Sequence, residues 1–230
     1  MPAGRDMAQI ALTGLLGITA YYAAENLGVS MLPASTSSLV VASFPAMTLV
    51  LECLLDHALP PLRKALGIVL AFCGVALIAL TESGGGSGDV LLGCAVLMFG
   101  GLCWSVYNFL MRPLLGSHDP LVITCWQTVF GAIGFIPLAL AEGMPATMPS
   151  ASAWLSVAYL VLGCTVTGFL LYNIGLEGLS ASTATSFANL IPVFGLVLSA
   201  LVLREQISIQ QLVGGAVVIG GIALSSQEDG

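Results

Sequence analysis

The chain has 230 residues, of which 57% are hydrophobic and 7% are charged, and its mean hydropathy is +1.02. So little polar surface cannot cover a water-soluble globular domain, and the composition therefore indicates membrane-spanning segments. The net charge of −7 argues against a nucleic acid partner and against a polybasic membrane anchor, because both need clustered Lys and Arg.

Long apolar runs separated by short polar breaks predict an all-α polytopic membrane protein with eight transmembrane helices. Each run has about the 20 residues that a hydrocarbon core of about 30 Å requires. Residues 1–24 also have features of a secretory signal peptide, but the internal repeat described below gives the first helix a counterpart deep in the chain. The predicted helices are α1 at about 8–28, α2 at 34–56, α3 at 63–81, α4 at 90–111, α5 at 120–141, α6 at 153–175, α7 at 181–203 and α8 at 209–226.

The Gly/Ser-rich segment 83–89 predicts a flexible linker between an N-terminal half, 1–82, and a C-terminal half, 90–230. With an even number of crossings, both termini lie on one side of the membrane. Four of the five basic residues fall on that side, and Arg204 is the exception. The positive-inside rule then predicts cytoplasmic termini in a bacterial-type inner membrane.

The two halves contain a sequence repeat at a shift of 147 residues. Because the shift corresponds to five helices, an odd number, each helix of the first half crosses the membrane opposite to its counterpart. Such inverted-topology repeats are typical of secondary transporters. The matched positions are Asn26 with Asn173, Gly28 with Gly175, Leu32 with Leu179, Ala34-Ser35-Thr36 with Ala181-Ser182-Thr183, Pro45 with Pro192, Gly67 with Gly214 and Gly74 with Gly221.

The repeat places Ala-Ser-Thr at the start of α2 and of α7, with a proline eleven residues after each first alanine. Ser and Thr at these positions are expected to cap the first helical turn, and small residues allow close helix packing in lipid. Pro45 and Pro192 each remove a backbone N–H, so we expect both helices to kink there and the kinks to take part in gating.

Two segments resemble a known family. The first, "GLSASTATSFANLIPVFGLVLSALVLREQISIQQLVGGAVVIGGIAL", matches the end-of-repeat pattern of the EamA-like family in the drug/metabolite transporter superfamily. The second, "GLCWSVYNFLMRP", resembles the first helix of a repeat in that family. The matching positions are Pro192, Glu205, Gln211, Gly214 and Gly221 in the first segment and Trp104, Tyr107 and Arg112 in the second.

The resemblance implies an inner-membrane transporter built from two five-helix repeats. In this sequence α4 to α8 form a complete repeat, whereas α1 to α3 lack counterparts of α4 and α5. The expectation is therefore an N-terminal repeat without its first two helices, which reflects a misassigned start, a fragment or a shortened relative.

Polar and aromatic side chains within the predicted spans supply candidates for a substrate cavity between the halves. Trp104, Tyr107 and Asn108 share one face of α4 because they stand at i, i+3 and i+4. Aromatic residues near Arg112 could equally belong to an interfacial belt. The other candidates are Tyr172, Asn173 and Asn189. The carboxylates Glu25, Glu52 and Glu177 lie near helix ends, where an interfacial position is favoured.

These features predict a secondary transporter that exports small organic metabolites or amino-acid-like solutes by alternating access. The alternative is a non-transporting or truncated membrane scaffold that needs a partner or the missing helices. Paired acids, a His cluster and a Gly-x-Ser-x-Gly turn are not found in the sequence, so we do not expect an enzyme. No metal or cofactor is expected, the lipid bilayer and a small solute are the expected partners, and a homodimer is compatible with the sequence.

Overall fold

The computed structural model describes residues 2, 4–55, 57, 59–82, 88–143, 148–178 and 190–225. In these ranges the regular secondary structure is helical, and no strand occurs. Among the described residues, six helices are long and apolar enough to cross a membrane by length and composition, and two shorter apolar helices follow at Ile191–Leu203 and Ile209–Ser225. The predicted all-α polytopic fold is therefore confirmed.

The helices begin and end close to the predicted positions. The start of α7, predicted at 181, lies outside the described residues, as do residues 83–87 of the predicted linker. The bounds are Arg5–Met31 for α1, Ala34–Val41 and Phe44–Leu55 for the two parts of α2, Leu62–Glu82 for α3, Gly88–Leu115 for α4, Pro120–Glu142 for α5, Ala151–Tyr159, Leu160–Thr167 and Gly168–Gly178 for α6, Leu190–Leu198 and Ser199–Leu203 for α7, and Ile209–Ser225 for α8.

In the described parts of the chain, π-helical segments occur at Leu15–Ala20 in α1, Leu160–Thr167 in α6 and Ser199–Leu203 in α7. In α6 the hydroxyls of Thr165 and Thr167 donate to carbonyls five residues earlier, at 3.1 and 2.6 Å. Such wide turns leave backbone carbonyls that lipid cannot satisfy, so local hydroxyls take over the hydrogen bonds.

Helix α2 is interrupted at Ala42 and Ser43, directly before Pro45. Proline has no N–H with which to continue the helical hydrogen bonding. Next to the break, the backbone N–H and the hydroxyl of Ser43 donate to the Val40 carbonyl at 3.0 and 2.7 Å. These bonds tighten the turn that precedes Phe44, while a gating role for Pro45 stays a prediction.

The chain forms two compact units, which do not coincide with the two sequence halves. The first unit comprises Met1–Thr19 and Leu110–Leu179, and the second comprises Ala20–Phe109 and Ser180–Gly230. Each unit therefore combines segments from both halves of the sequence. The division of the chain into repeats at 83–89 concerns the sequence and stays a prediction.

Close packing of α1 on α5 organises the first unit. A Cβ added at Gly131 would lie 2.6 Å from the Ile18 side chain, so the absence of a side chain permits this approach. The Thr19 hydroxyl donates to the Gly131 carbonyl at 2.8 Å. The fully buried Gln127 amide donates to the Thr13 hydroxyl at 2.9 Å. Small residues and buried polar groups thus join these two helices.

In the second unit, α3 and α8 pack antiparallel through glycines. A Cβ added at Gly67 would lie 2.5 Å from the Gly221 carbonyl oxygen, and one added at Gly74 would lie 2.8 Å from the Gly214 oxygen. The two backbones therefore touch at both points. Around this contact lies a hydrophobic core that includes Leu39, Val40, Ala71, Ile78, Leu97, Val218 and Ile222.

Candidate functional site

Five aromatic side chains of the second unit form one cluster, which we call the aromatic cluster: Tyr21, Tyr22, Phe44, Trp104 and Tyr107. The Trp104 ring stacks on Tyr107 with centroids 5.0 Å apart. The Tyr21 ring lies 5.1 Å from Trp104 and meets Phe44 edge to face at 6.4 Å. The cluster joins α1, α2 and α4, so it brings together three membrane spans.

Gly101 of α4 permits this arrangement. A Cβ added at Gly101 would lie 2.5 Å from the Phe44 ring. A Cβ added at Gly100 would lie 3.7 Å from the Tyr21 carbonyl oxygen and 3.9 Å from the Glu25 nitrogen. The absence of a side chain at Gly101 lets α4 approach α2 closely, whereas the distances at Gly100 are those of ordinary contact with α1. Trp104, one turn further along α4, thus reaches the Tyr21 ring.

A carboxylate adjoins the cluster. The Tyr21 hydroxyl donates to Glu25 Oε1 at 2.9 Å, and Glu25 is half-buried within the span Arg5–Met31. Among the residues that the structure describes, no Lys, Arg or His forms an ion pair with Glu25. An ionisable side chain within a span is costly and usually functional. The site thus combines aromatic faces with an acidic group.

The sequence-based candidates fall in different parts of the chain. Trp104 and Tyr107 belong to the aromatic cluster, and Asn108 is half-buried beside them, its amide donating to the Trp104 carbonyl at 2.9 Å. Tyr172 is half-buried in the first unit. Asn173 belongs to the helix Gly168–Gly178, but its side chain is not described, and Asn189 lies outside the described residues. A single cavity lined by all six residues stays a prediction.

Sequence reasoning did not include Tyr21 in the site, and the interfacial position that it favoured for Glu25 stays a prediction. The i, i+4 spacing of Tyr21 and Glu25 places both on one helical face and could have linked them. Their proximity to Trp104, however, depends on which helices pack together, and the sequence pattern does not specify that.

A second polar arrangement holds the start of α2 to the segment after α7. Glu205 accepts hydrogen bonds from the backbone N–H groups of Ala34 at 2.9 Å and Ser35 at 3.1 Å. The Gln211 amide donates to the hydroxyls of Ser35 and Thr36, both at 3.1 Å. We call this arrangement the Glu205 clasp. It gives a structural role to two positions that match the family pattern.

The Glu205 clasp corrects the expected capping of α2. Helix Ala34–Val41 follows Pro33 and has no side-chain cap of its own, so Ser35 and Thr36 do not cap it. A carboxylate from a distant part of the chain satisfies the first turn instead, where the helix dipole favours negative charge. Partial burial by itself would raise the pKa of Glu205. Hydrogen bonds from the Ser35 side chain and from the backbone of Ser35 and Ala34 outweigh the effect of burial, so the pKa of Glu205 lies below its usual value.

The sequence model of the EamA-like transporter family matches residues 2–80 and 91–227, which is nearly the whole chain. The chain belongs to the EamA-like transporter family. It is therefore an integral, multi-pass membrane protein, and membership of a transporter family points to small solutes as substrates. The two matched segments lie on either side of the predicted linker.

Curated relatives of this EamA-like transporter carry transporter names. A protein of Streptantibioticus cattleyicolor named "Probable terminal-alkyne amino-acid exporter" is 31% identical over 97% of this chain and 74% of its own length. The "Uncharacterized transporter YyaM" of Bacillus subtilis is 27% identical over 93% of this chain and 71% of its own. A solved crystal structure aligns with a TM-score of 0.66 at 19% identity, covering 94% of this chain and 74% of its own, and so shows a shared fold.

Proposed function

We propose that this EamA-like protein is a secondary transporter that exports small organic solutes, amino-acid-like metabolites among them, across a bacterial inner membrane. The aromatic cluster with its adjoining Glu25 is the observation that carries the proposal. Ligand sites are mostly lined by apolar and aromatic side chains with a few polar groups that orient the ligand. The name of the Streptantibioticus relative, "Probable terminal-alkyne amino-acid exporter", agrees with export as the direction.

Alternating access by inverted repeats is supported by the contact between α3 and α8. The sequence repeat equates Gly67 with Gly214 and Gly74 with Gly221, whereas in space Gly67 lies opposite Gly221 and Gly74 lies opposite Gly214. Exchanging the two helices therefore reproduces the same pair of contacts. An antiparallel pair with this local two-fold relation is what repeats of opposite orientation would form.

The proposed orientation places both termini in the cytoplasm, as the distribution of basic residues predicts. The Glu205 clasp then lies on the external side, because α2 begins there. Alternating access requires one repeat to move against the other, and the clasp is one contact that has to accommodate or resist that motion.

The test is solute flux from proteoliposomes. Vesicles containing the purified protein are loaded with a mixture of amino acids and small amines, and solute loss is followed by mass spectrometry. We expect selective, protein-dependent loss that Trp104→Ala reduces. The matched control is Trp154→Ala, because Trp154 is 59% exposed on α6 and lies outside the cluster. No protein-dependent loss of any solute would contradict transport and favour the scaffold alternative.

A further inference from the structure

We infer that Glu25 and the aromatic cluster bind the ammonium group of a positively charged organic solute. The inference rests on the proposed transport function and specifies the class of solute. It follows from the juxtaposition of a carboxylate with aromatic faces inside a membrane span.

The carboxylate of Glu25 accepts fewer hydrogen bonds within the described structure than it is able to accept. An ionised carboxylate offers about four acceptor positions. Tyr21 fills one of them through the 2.9 Å bond to Oε1. An unpaired charge is costly in an apolar region, so Glu25 favours a ligand that brings both a positive charge and N–H donors. A primary ammonium group supplies one charge and three donors.

The aromatic rings supply the second part of the recognition. A cation is attracted to an aromatic face when it lies within about 6 Å of the ring centroid. The Tyr21 hydroxyl contacts Glu25, so an ammonium bound to the carboxylate lies beside the Tyr21 side chain, and the Trp104 ring is the neighbouring ring of the same cluster, 5.1 Å from that of Tyr21. Tyr21, Tyr22 and Trp104 are each half-buried, which leaves part of their surface accessible.

The same geometry discriminates by charge. A neutral hydroxyl compound would contact the aromatic rings but leave the negative charge of Glu25 without a counter-ion. An anion would be repelled by Glu25. The ammonium could belong to a solute or to the headgroup of phosphatidylethanolamine. We assign it to a solute, because a transporter needs to bind its substrate within the spans rather than at the headgroup layer.

The experiment measures binding through Trp104. The protein has three tryptophans, and replacing Trp126 and Trp154 with Phe leaves Trp104 as the fluorescent reporter. The single-tryptophan protein is placed in phosphatidylglycerol vesicles, which contain no ammonium group. It is then titrated with benzylamine, benzyl alcohol and benzoate, which share a ring and differ in charge. We expect a saturable fluorescence change with benzylamine and none with the other two.

Two variants of the reporter protein test whether the Glu25 carboxylate supplies the negative charge that binds benzylamine. Glu25→Gln keeps the size of the side chain and is expected to raise the Kd for benzylamine by about tenfold or more, since hydrogen bonds to charged groups contribute most. Tyr21→Phe keeps the ring and the carboxylate, so it should retain charge-selective binding. The matched control Glu142→Gln removes an exposed carboxylate at the end of α5 and should leave the Kd unchanged. Thermal unfolding of each variant verifies that it is folded.

Three results would overturn the inference: equal binding of benzyl alcohol and benzylamine, an unchanged Kd in folded Glu25→Gln, or, in parallel vesicles that also contain phosphatidylethanolamine, a fluorescence change caused by that lipid with none caused by benzylamine. Failure of the inference remains distinguishable from failure of the proposed function. Flux of neutral or zwitterionic solutes that depends on Trp104, without binding of benzylamine, would leave transport intact and refute the ammonium site.

Discussion

Replacing Gly221 with Ala is expected to destabilise the protein, because the new methyl group would meet the backbone of α3. An added Cβ at Gly221 would lie 2.6 Å from both the Ala71 nitrogen and the Gly67 carbonyl oxygen, about 0.8 Å short of the 3.4 Å at which ordinary contact begins. Backbone atoms cannot rotate aside as a side chain can, so the two helices have to separate. Overpacking of this kind costs about 1–3 kcal/mol.

The neighbouring Gly220 provides a matched control, because a Cβ there has nothing within 4 Å. Gly220→Ala adds the same methyl group to the same helix and should be neutral, or stabilising by up to about 1 kcal/mol through helix propensity. The assay is thermal unfolding of both variants in detergent. We expect Gly221→Ala to lower the Tm by roughly 2–12 °C relative to the wild type. Equal Tm values for the two variants would refute the close contact between α3 and α8.

Three further predictions follow from the clasp, the topology and the cavity. Glu205→Gln removes the carboxylate that caps α2 and should cost about 1 kcal/mol at neutral pH. The pKa of Glu205 is lower in the folded state than in the unfolded state, so the carboxylate stabilises the fold fully above the unfolded-state pKa and loses this effect as pH falls through the folded-state pKa. The Tm difference between wild type and variant should therefore shrink on acidification. A Tm difference that does not depend on pH contradicts this reasoning. Reporter fusions after residues 85 and 230 should give external and cytoplasmic signals respectively, and identical signals would refute the eight-helix topology. Asn173→Leu should abolish solute flux while leaving membrane insertion intact, and unchanged flux would remove Asn173 from the cavity.

Hydropathy was sufficient to place the helices, because the hydrocarbon core fixes the length of an apolar span. The predicted 63–81 and 120–141 compare with Leu62–Glu82 and Pro120–Glu142 in the structure. The π-helical segments were not predicted, since a wide turn changes the hydrogen-bonding pattern without changing the apolar composition. The interruption of α2 before Pro45 does follow from a local rule, the missing N–H of proline.

The candidate site could be predicted only in part. Trp104, Tyr107 and Asn108 were recognisable because they share a helical face, which is a local property of α4. The pairing of Tyr21 with Trp104 depends on contacts between distant segments, and so does the capping of Ala34 by Glu205. The repeat showed that Gly67 and Gly214 are equivalent, but it could not show that Gly67 packs against Gly221.

Alternating access to the aromatic cluster is the central claim, and two-sided labelling of position 108 tests it most directly. Asn108→Cys is made in a protein whose six native cysteines have been replaced, and a membrane-impermeant thiol reagent is applied to right-side-out and to inside-out vesicles. Alternating access predicts that position 108 reacts from both sides of the membrane and that a transported solute slows both reactions. A cysteine at 108 that reacts from neither side, while one at the exposed loop position Ser117 after α4 does react, would contradict the account.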